Sequence, residues 1–128
     1  MVKKILIVDD SPISRKMLKS CIAKDADFEI LEAADGLAGL ELFREASPDL
    51  TFLDLTMPVM DGFQTLEEMK KHDPEAMIIV ATADIQAKSI EKVVALGALH
   101  VLKKPPTRDS VGEAFRKASA CGGARHGN

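Results

Sequence analysis

A chain of 128 residues, 46% hydrophobic and 29% charged, fits one compact soluble domain with a core of its own. Its net charge of −3 gives no electrostatic case for nucleic acid or an anionic membrane as partner, and no aromatic-interleaved basic patch is present. Cys21 and Cys121 lie far apart without C-x-x-C or Cys/His spacing, which argues against structural zinc and for free thiols in a reducing compartment.

In chain order, "ILIV" at 5–8 is a short apolar run bounded by charge and reads as a strand buried on both faces. With "MVKK" before it, that run is too short for a signal-peptide core, and no run approaches the roughly 18 apolar residues of a membrane span. A cytoplasmic protein is expected. From Ser14 to Lys24, Met17, Leu18, Cys21 and Ile22 share one helical face, with Pro12 as a first-turn residue. "FEILEA" at 28–33 alternates and reads as a strand. "DGLAGLELFREA" at 35–46 reads as a helix with Leu37, Leu40 and Phe43 at three-residue steps, broken by Pro48. "LTFLDL" at 50–55 is a third strand, and "MPVMDGF" is a loop by its Pro and Gly. "GFQTLEEMKKHD" at 62–73 is a helix with Phe63, Leu66, Met69 and Lys70 in register. "MIIVATA" at 77–83 is the most apolar strand and is expected to be central. "IQAKSIEKVVALG" at 85–97 is a helix capped by Gly97. "LHVLKKPP" at 99–106 is a strand stopped by two prolines, and "RDSVGEAFRKAS" at 108–119 is the last helix. The domain spans 1–120, and the glycine-rich residues 121–128 are expected to form a mobile tail.

Five β-α units in succession require crossover connections, hence a parallel sheet covered by helices on both faces. Right-handed crossovers leave few topologies. The expected one is a doubly wound, flavodoxin-like five-stranded sheet of order 2-1-3-4-5. All its strands end on one edge, where ligands bind beside the reversal of strand order. To that edge strand 1 brings Asp9 and Asp10, strand 3 Asp54, strand 4 Thr82 and strand 5 Lys104. Strand 2, ending at Ala33, Ala34 and Asp35, contributes nothing obvious. Three clustered carboxylates repel one another unless a cation offsets them, and Mg²⁺ suits an all-oxygen set shared with a phosphoryl group. Lys104 and Thr82 are suited to bond phosphoryl oxygens, and Asp54, at the middle, is placed to act as a nucleophile on phosphorus.

"ILIVDD", "LTFLDLTMPVMDG", "IVATAD" and "KKPP", in that order, resemble the receiver domain of bacterial two-component response regulators, in particular its single-domain, chemotaxis-type members. The order 2-1-3-4-5 is that family's own, so topology and resemblance are one expectation, not two. The resemblance covers residues 3–120. It implies that Asp54 accepts a phosphoryl group from a histidine kinase or histidine phosphotransfer protein. It further implies that Asp9, Asp10, Asp54 and the backbone carbonyl of Thr56 hold Mg²⁺, Asp10 more directly than Asp9. Lys104 would pair with the phosphoryl group, and Thr82 would move to bond it. Pro105 would follow a cis peptide bond, and Thr56 and Asp84 would tune loss of the phosphoryl group. Output would pass to a partner protein through the face of helix 4, strand 5 and helix 5. Two positions depart from the pattern. Val101 stands where an aromatic switch residue is usual, and Pro106 where Phe is frequent.

Plainer readings apply to other residues. Asp61-Gly62 is a turn and helix cap, His72 suits a helix C-terminus, and His100 is an ordinary strand residue. Met57, Met60, Met69 and Met77 are packing residues. Other functions fit worse. A Mg²⁺-dependent aspartyl-phosphate phosphatase would carry an Asp where Thr56 stands. A flavodoxin-type module would need a phosphate-cradling loop in place of "DDSPISR". A receiver-like module acting without phosphorylation would not need the complete constellation.

Overall fold

The computed structural model describes residues 2–22, 27–55, 57, 60–83 and 86–126, with side chains to residue 120. Among these, β1 (Lys4–Val8), α1 (Pro12–Cys21), β2 (Glu29–Ala33), α2 (Gly36–Ala46), β3 (Leu50–Asp54), α3 (Gly62–His72), β4 (Ile78–Thr82), α4 (Ala87–Ala95), β5 (His100–Lys103) and α5 (Arg108–His126) alternate strictly. The strands form one parallel sheet in the order β2-β1-β3-β4-β5. The expected doubly wound fold is present. β4 is interior, but the middle strand is β3.

Alternation along each strand divides the core into two layers. Leu6, Val8, Leu53, Ile78 and Val80 point to one face and pack with Leu40, Phe43, Leu66, Met69 and Val93 of α2, α3 and α4. Ile5, Ile7, Leu50, Phe52, Ile79, Ala81 and Leu102 point to the other, against Leu18, Ile22, Val111, Ala114 and Ala118 on the α1 and α5 side. Both faces being dry, β1, β3 and β4 read as continuous apolar runs.

The helices start where their caps dictate. Ser11, Asp35 and Asp61 accept hydrogen bonds from the N–H groups of Ser14, Ala38 and Gln64. Asp61 is thus a cap, as its sequence context suggests. Thr107 and Ser110 cap the start of α5 reciprocally, each side chain accepting from the other's N–H at 2.9–3.0 Å.

α1 begins at Pro12, the expected first-turn residue, because Ser11 supplies the cap. Two expectations about helices need correction. Met17 and Leu37 are 40% and 44% exposed. The buried stripe of α1 is Leu18 and Ile22, and that of α2 is Gly39, Leu40 and Phe43, so these two lie at the edge of their faces. α5 continues to His126, beyond the expected end at 119. Consecutive α-helical hydrogen bonds carry its backbone through Gly122 and Gly123, since glycine weakens a helix by only about 1 kcal/mol and does not forbid it.

Candidate functional site

The C-terminal ends of β1, β3, β4 and β5 share one edge, and the chemistry-bearing side chains collect there. Asp9, the residue after β1, is 5% exposed, and all four of its polar groups are bonded. Its N–H donates to the Ala33 carbonyl at 3.1 Å. Its Oδ1 accepts from Ser11 N–H at 2.9 Å, and its Oδ2 accepts from Lys104 Nζ at 2.7 Å. Its carbonyl accepts from Arg15 Nη1 at 2.6 Å.

Asp54 ends β3 at 7% exposure. Lys104 Nζ stands 3.3 Å from its Oδ1, so one ammonium bridges the ends of β1 and β3. Burial alone would lower the Lys104 pKa. Its hydrogen bond to Asp9 and the charge of Asp54 outweigh burial and hold it above the ordinary lysine value of 10.5. Lys104 directly follows β5, which stops at Lys103, and the Lys104–Pro105 peptide is cis, as the resemblance implies. Lys103, its neighbour, faces solvent.

Asp10 is exposed, yet one oxygen each from Asp9, Asp10 and Asp54 can come within 4.8 Å of one another. Three carboxylates therefore face one ammonium. The set is all oxygen, in excess negative charge and open on the Asp10 side, which fits a hard divalent cation retaining part of its water. Thr82, 2% exposed, closes β4 on the same edge, and its carbonyl accepts from Lys104 N–H at 2.9 Å. Thr56 and Asp84 lie outside the described residues. Val101 is half-buried against the α2, α3 and α4 side of the core, with no aromatic group in its place.

Sequence reasoning missed two participants. Arg15 of α1 holds the Asp9 carbonyl, and its Nε donates to Oε1 of Glu32 on β2 at 2.9 Å. Lys19 meets the other oxygen of Glu32 at 2.8 Å. Lys19 and Arg15 pull the Glu32 carboxyl below its ordinary value, against the opposing effect of burial. The signal was in the alternation of "FEILEA", which puts Glu32 on the face of Ile30, on the α1 side, within reach of basic residues on that helix.

The profile of the Response regulator receiver domain matches residues 5–116. The chain is 40% identical to the chemotaxis protein CheY of Listeria monocytogenes over 117 residues, 91% of this chain and 98% of that one. It is 39% identical to CheY of Thermotoga maritima over 120 residues, 93% and 99% of the two chains. Among solved structures, the receiver domain of a CheY-like protein from Methanospirillum hungatei superposes with a TM-score of 0.85 at 25% identity, covering 94% of this chain and 97% of that one. The CheX–CheY–BeF₃–Mg²⁺ complex from Borrelia burgdorferi gives 0.85 at 28% identity, covering 91% and 89%. With the acidic triad at the end of a 2-1-3-4-5 sheet and relatives matched along almost their whole length, this chain belongs to the response regulator receiver domain family.

Proposed function

We propose that Asp54 is the phosphoacceptor of this phosphorylation-driven response regulator, and that Mg²⁺ is required for its phosphorylation. The observation that carries the assignment is the bridge of Lys104 between Asp9 and Asp54 inside a triad of carboxylates. Asp9, Asp10, Asp54 and the Thr56 carbonyl would hold the ion. When bound, Mg²⁺ would offset the negative charge shared by the carboxylates and the incoming phosphoryl group. The Borrelia complex, which contains CheY, BeF₃ and Mg²⁺, is consistent with such a site.

The chain's own groups then act as follows. An Asp54 carboxylate oxygen attacks phosphorus of a phosphohistidine, the O–P bond forms, the P–N bond breaks, and the departing imidazole takes a proton. Lys104 follows the developing charge from carboxylate to phosphoryl oxygen. The Thr82 hydroxyl bonds a second phosphoryl oxygen. The module is a phosphoacceptor and not a turnover enzyme.

The donor is a histidine kinase or a histidine phosphotransfer protein, and the setting is the cytoplasm. No helix among the described residues is long and apolar enough to cross a membrane. Output passes to a protein partner through the face of α4, β5 and α5, whose elements expose Lys88, Glu91, Lys92, Lys103, Arg108 and Arg116. Residues 1–120 make up the functional unit.

The test is labelling of the purified protein with acetyl phosphate, read by intact mass, with and without Mg²⁺. One phosphoryl group is expected, dependent on Mg²⁺ and absent from a folded Asp54→Asn variant. Equal labelling of Asp54→Asn would overturn the assignment.

A further inference from the structure

Two adjacent aspartates leave β1, and they are held very differently. Asp9 is buried with every polar group bonded, whereas Asp10 is exposed. Asp10 nevertheless has to present its carboxylate toward Asp9 and Asp54 if the triad is to act as one site. Between the two stands the Asp9–Asp10 peptide. The orientation of that rigid peptide plane fixes the position of the Asp10 Cα and leaves φ of Asp10 as the single soft backbone angle before its Cα–Cβ bond.

The group that holds this plane is Arg15. Its Nη1 donates to the Asp9 carbonyl at 2.6 Å, and the carbonyl is one end of the peptide in question. A guanidinium is planar, so fixing a second nitrogen fixes the whole fork. Glu32 does this through Nε at 2.9 Å. The Arg15 side chain is only 17% exposed, which limits competition from water. α1, β1 and β2 are thereby joined at one carbonyl, one residue before Asp10.

We infer that Arg15, oriented by Glu32, is a positioning residue that sets the Asp9–Asp10 peptide and with it the placement of Asp10 in the acidic site. The inference rests on the proposed Mg²⁺ site. Arg15 touches neither the ion nor the phosphoryl group in this role. It keeps an otherwise exposed carboxylate directed inward before any cation arrives. Lys19 shares Glu32 but makes no bond to the peptide, so it is the natural control.

The experiment uses the full chain labelled with ¹⁵N. Mg²⁺ is titrated while amide resonances are followed for wild type, Arg15→Ala, Arg15→Lys, Glu32→Ala and Lys19→Ala, and melting temperature is recorded for each. Outer residues that orient ligands typically change metal affinity 10–100-fold when replaced, so a roughly tenfold higher Mg²⁺ Kd is expected for Arg15→Ala. Arg15→Lys should not restore it, because an ammonium lacks the fork. Glu32→Ala should fall between Arg15→Ala and wild type, and Lys19→Ala should match wild type within twofold. In the metal-free state, the Asp10 amide should shift and broaden in Arg15→Ala and Arg15→Lys and stay put in Lys19→Ala. An Arg15 variant that melts earlier but keeps its Mg²⁺ Kd within twofold and its Asp10 amide unmoved would reduce Arg15 to a structural ion pair and overturn the inference. Should Arg15→Ala not fold, Arg15→Lys and Glu32→Ala decide by the same criteria. Wild-type protein without Mg²⁺ affinity would overturn the proposed metal site, while the metal-free Asp10 resonance would still decide the role of Arg15.

Discussion

Single residues in this molecule owe their behaviour to what lies across from them. Thr51 on β3 is 1% exposed, and its hydroxyl meets no hydrogen-bond partner among the described residues. A buried hydroxyl without a partner costs roughly 1–3 kcal/mol. Thr51→Val should therefore stabilise the fold by about 1 kcal/mol, and thermal unfolding should move up by about 4 °C. A lower melting temperature would show that the hydroxyl is satisfied. His100 on β5 is a second case. Burial lowers its pKa below the ordinary 6.5, the nearby Lys117 lowers it further, and Glu113 pulls weakly the other way. The unfolded chain thus binds the His100 proton at a higher pH than the folded chain does. Stability should rise with pH through the window from the lowered folded value up to about 6.5, and fall again on acidification. His100→Gln should flatten this part of the profile, as read by urea midpoints between pH 5.5 and 7.5. An unchanged slope would place the titration elsewhere. The sequence marked His100 as an ordinary strand residue. Its environment, supplied by α5, could not be seen there.

Elements meet the site through backbone approach as much as through side chains. α3 begins at Gly62, whose N–H donates to the Leu55 carbonyl at 2.9 Å. A Cβ at Gly62 would run into the Asp54 carbonyl and the Leu55 Cα, both backbone, so neither can swing aside. Gly62→Ala should push α3 away from the end of β3. The expected cost is about 1–3 kcal/mol, typical of overpacking, together with a loss of Mg²⁺ affinity. Urea unfolding and the Mg²⁺ titration check this, and a variant as stable as wild type would show that α3 has slack. "MDG" announced a turn and a cap, and Asp61 is that cap. That the glycine also touches the Asp54 backbone depends on the crossover from β3 to α3, which the local sequence does not encode. α1 gives the complementary case. Its apolar spacing located the helix, but Met17 lies outside the buried stripe because Leu18 and Ile22 sit nearer the sheet.

At the scale of the whole molecule, α5 is anchored by Val111, Ala114 and Ala118 in the layer it shares with α1. These contacts lie before residue 120. A chain ending at residue 120 keeps all three of these contacts; it should melt within about 2 °C of the full chain, a cost of a few tenths of a kcal/mol, and should take one phosphoryl group as before. A larger drop, or loss of labelling, would make residues 121–128 part of the working domain. The strand-helix alternation, the two-layer core and the edge on which the acids gather were legible in the sequence. Apolar period and turn residues are local properties, and right-handed crossovers leave few ways to join five such units. Asp9, Asp10, Asp54, Thr82 and Lys104 could be named because each stands at the C-terminal end of a strand. The tertiary structure alone decided which groups touch. Lys104 joins Asp9, 95 residues away in the chain, to Asp54, and Glu32 of a strand that looked functionally silent orients Arg15 on α1. Such contacts depend on strand register and on the angle at which a helix crosses the sheet. Both are fixed by packing the whole core at once, not by any segment of it.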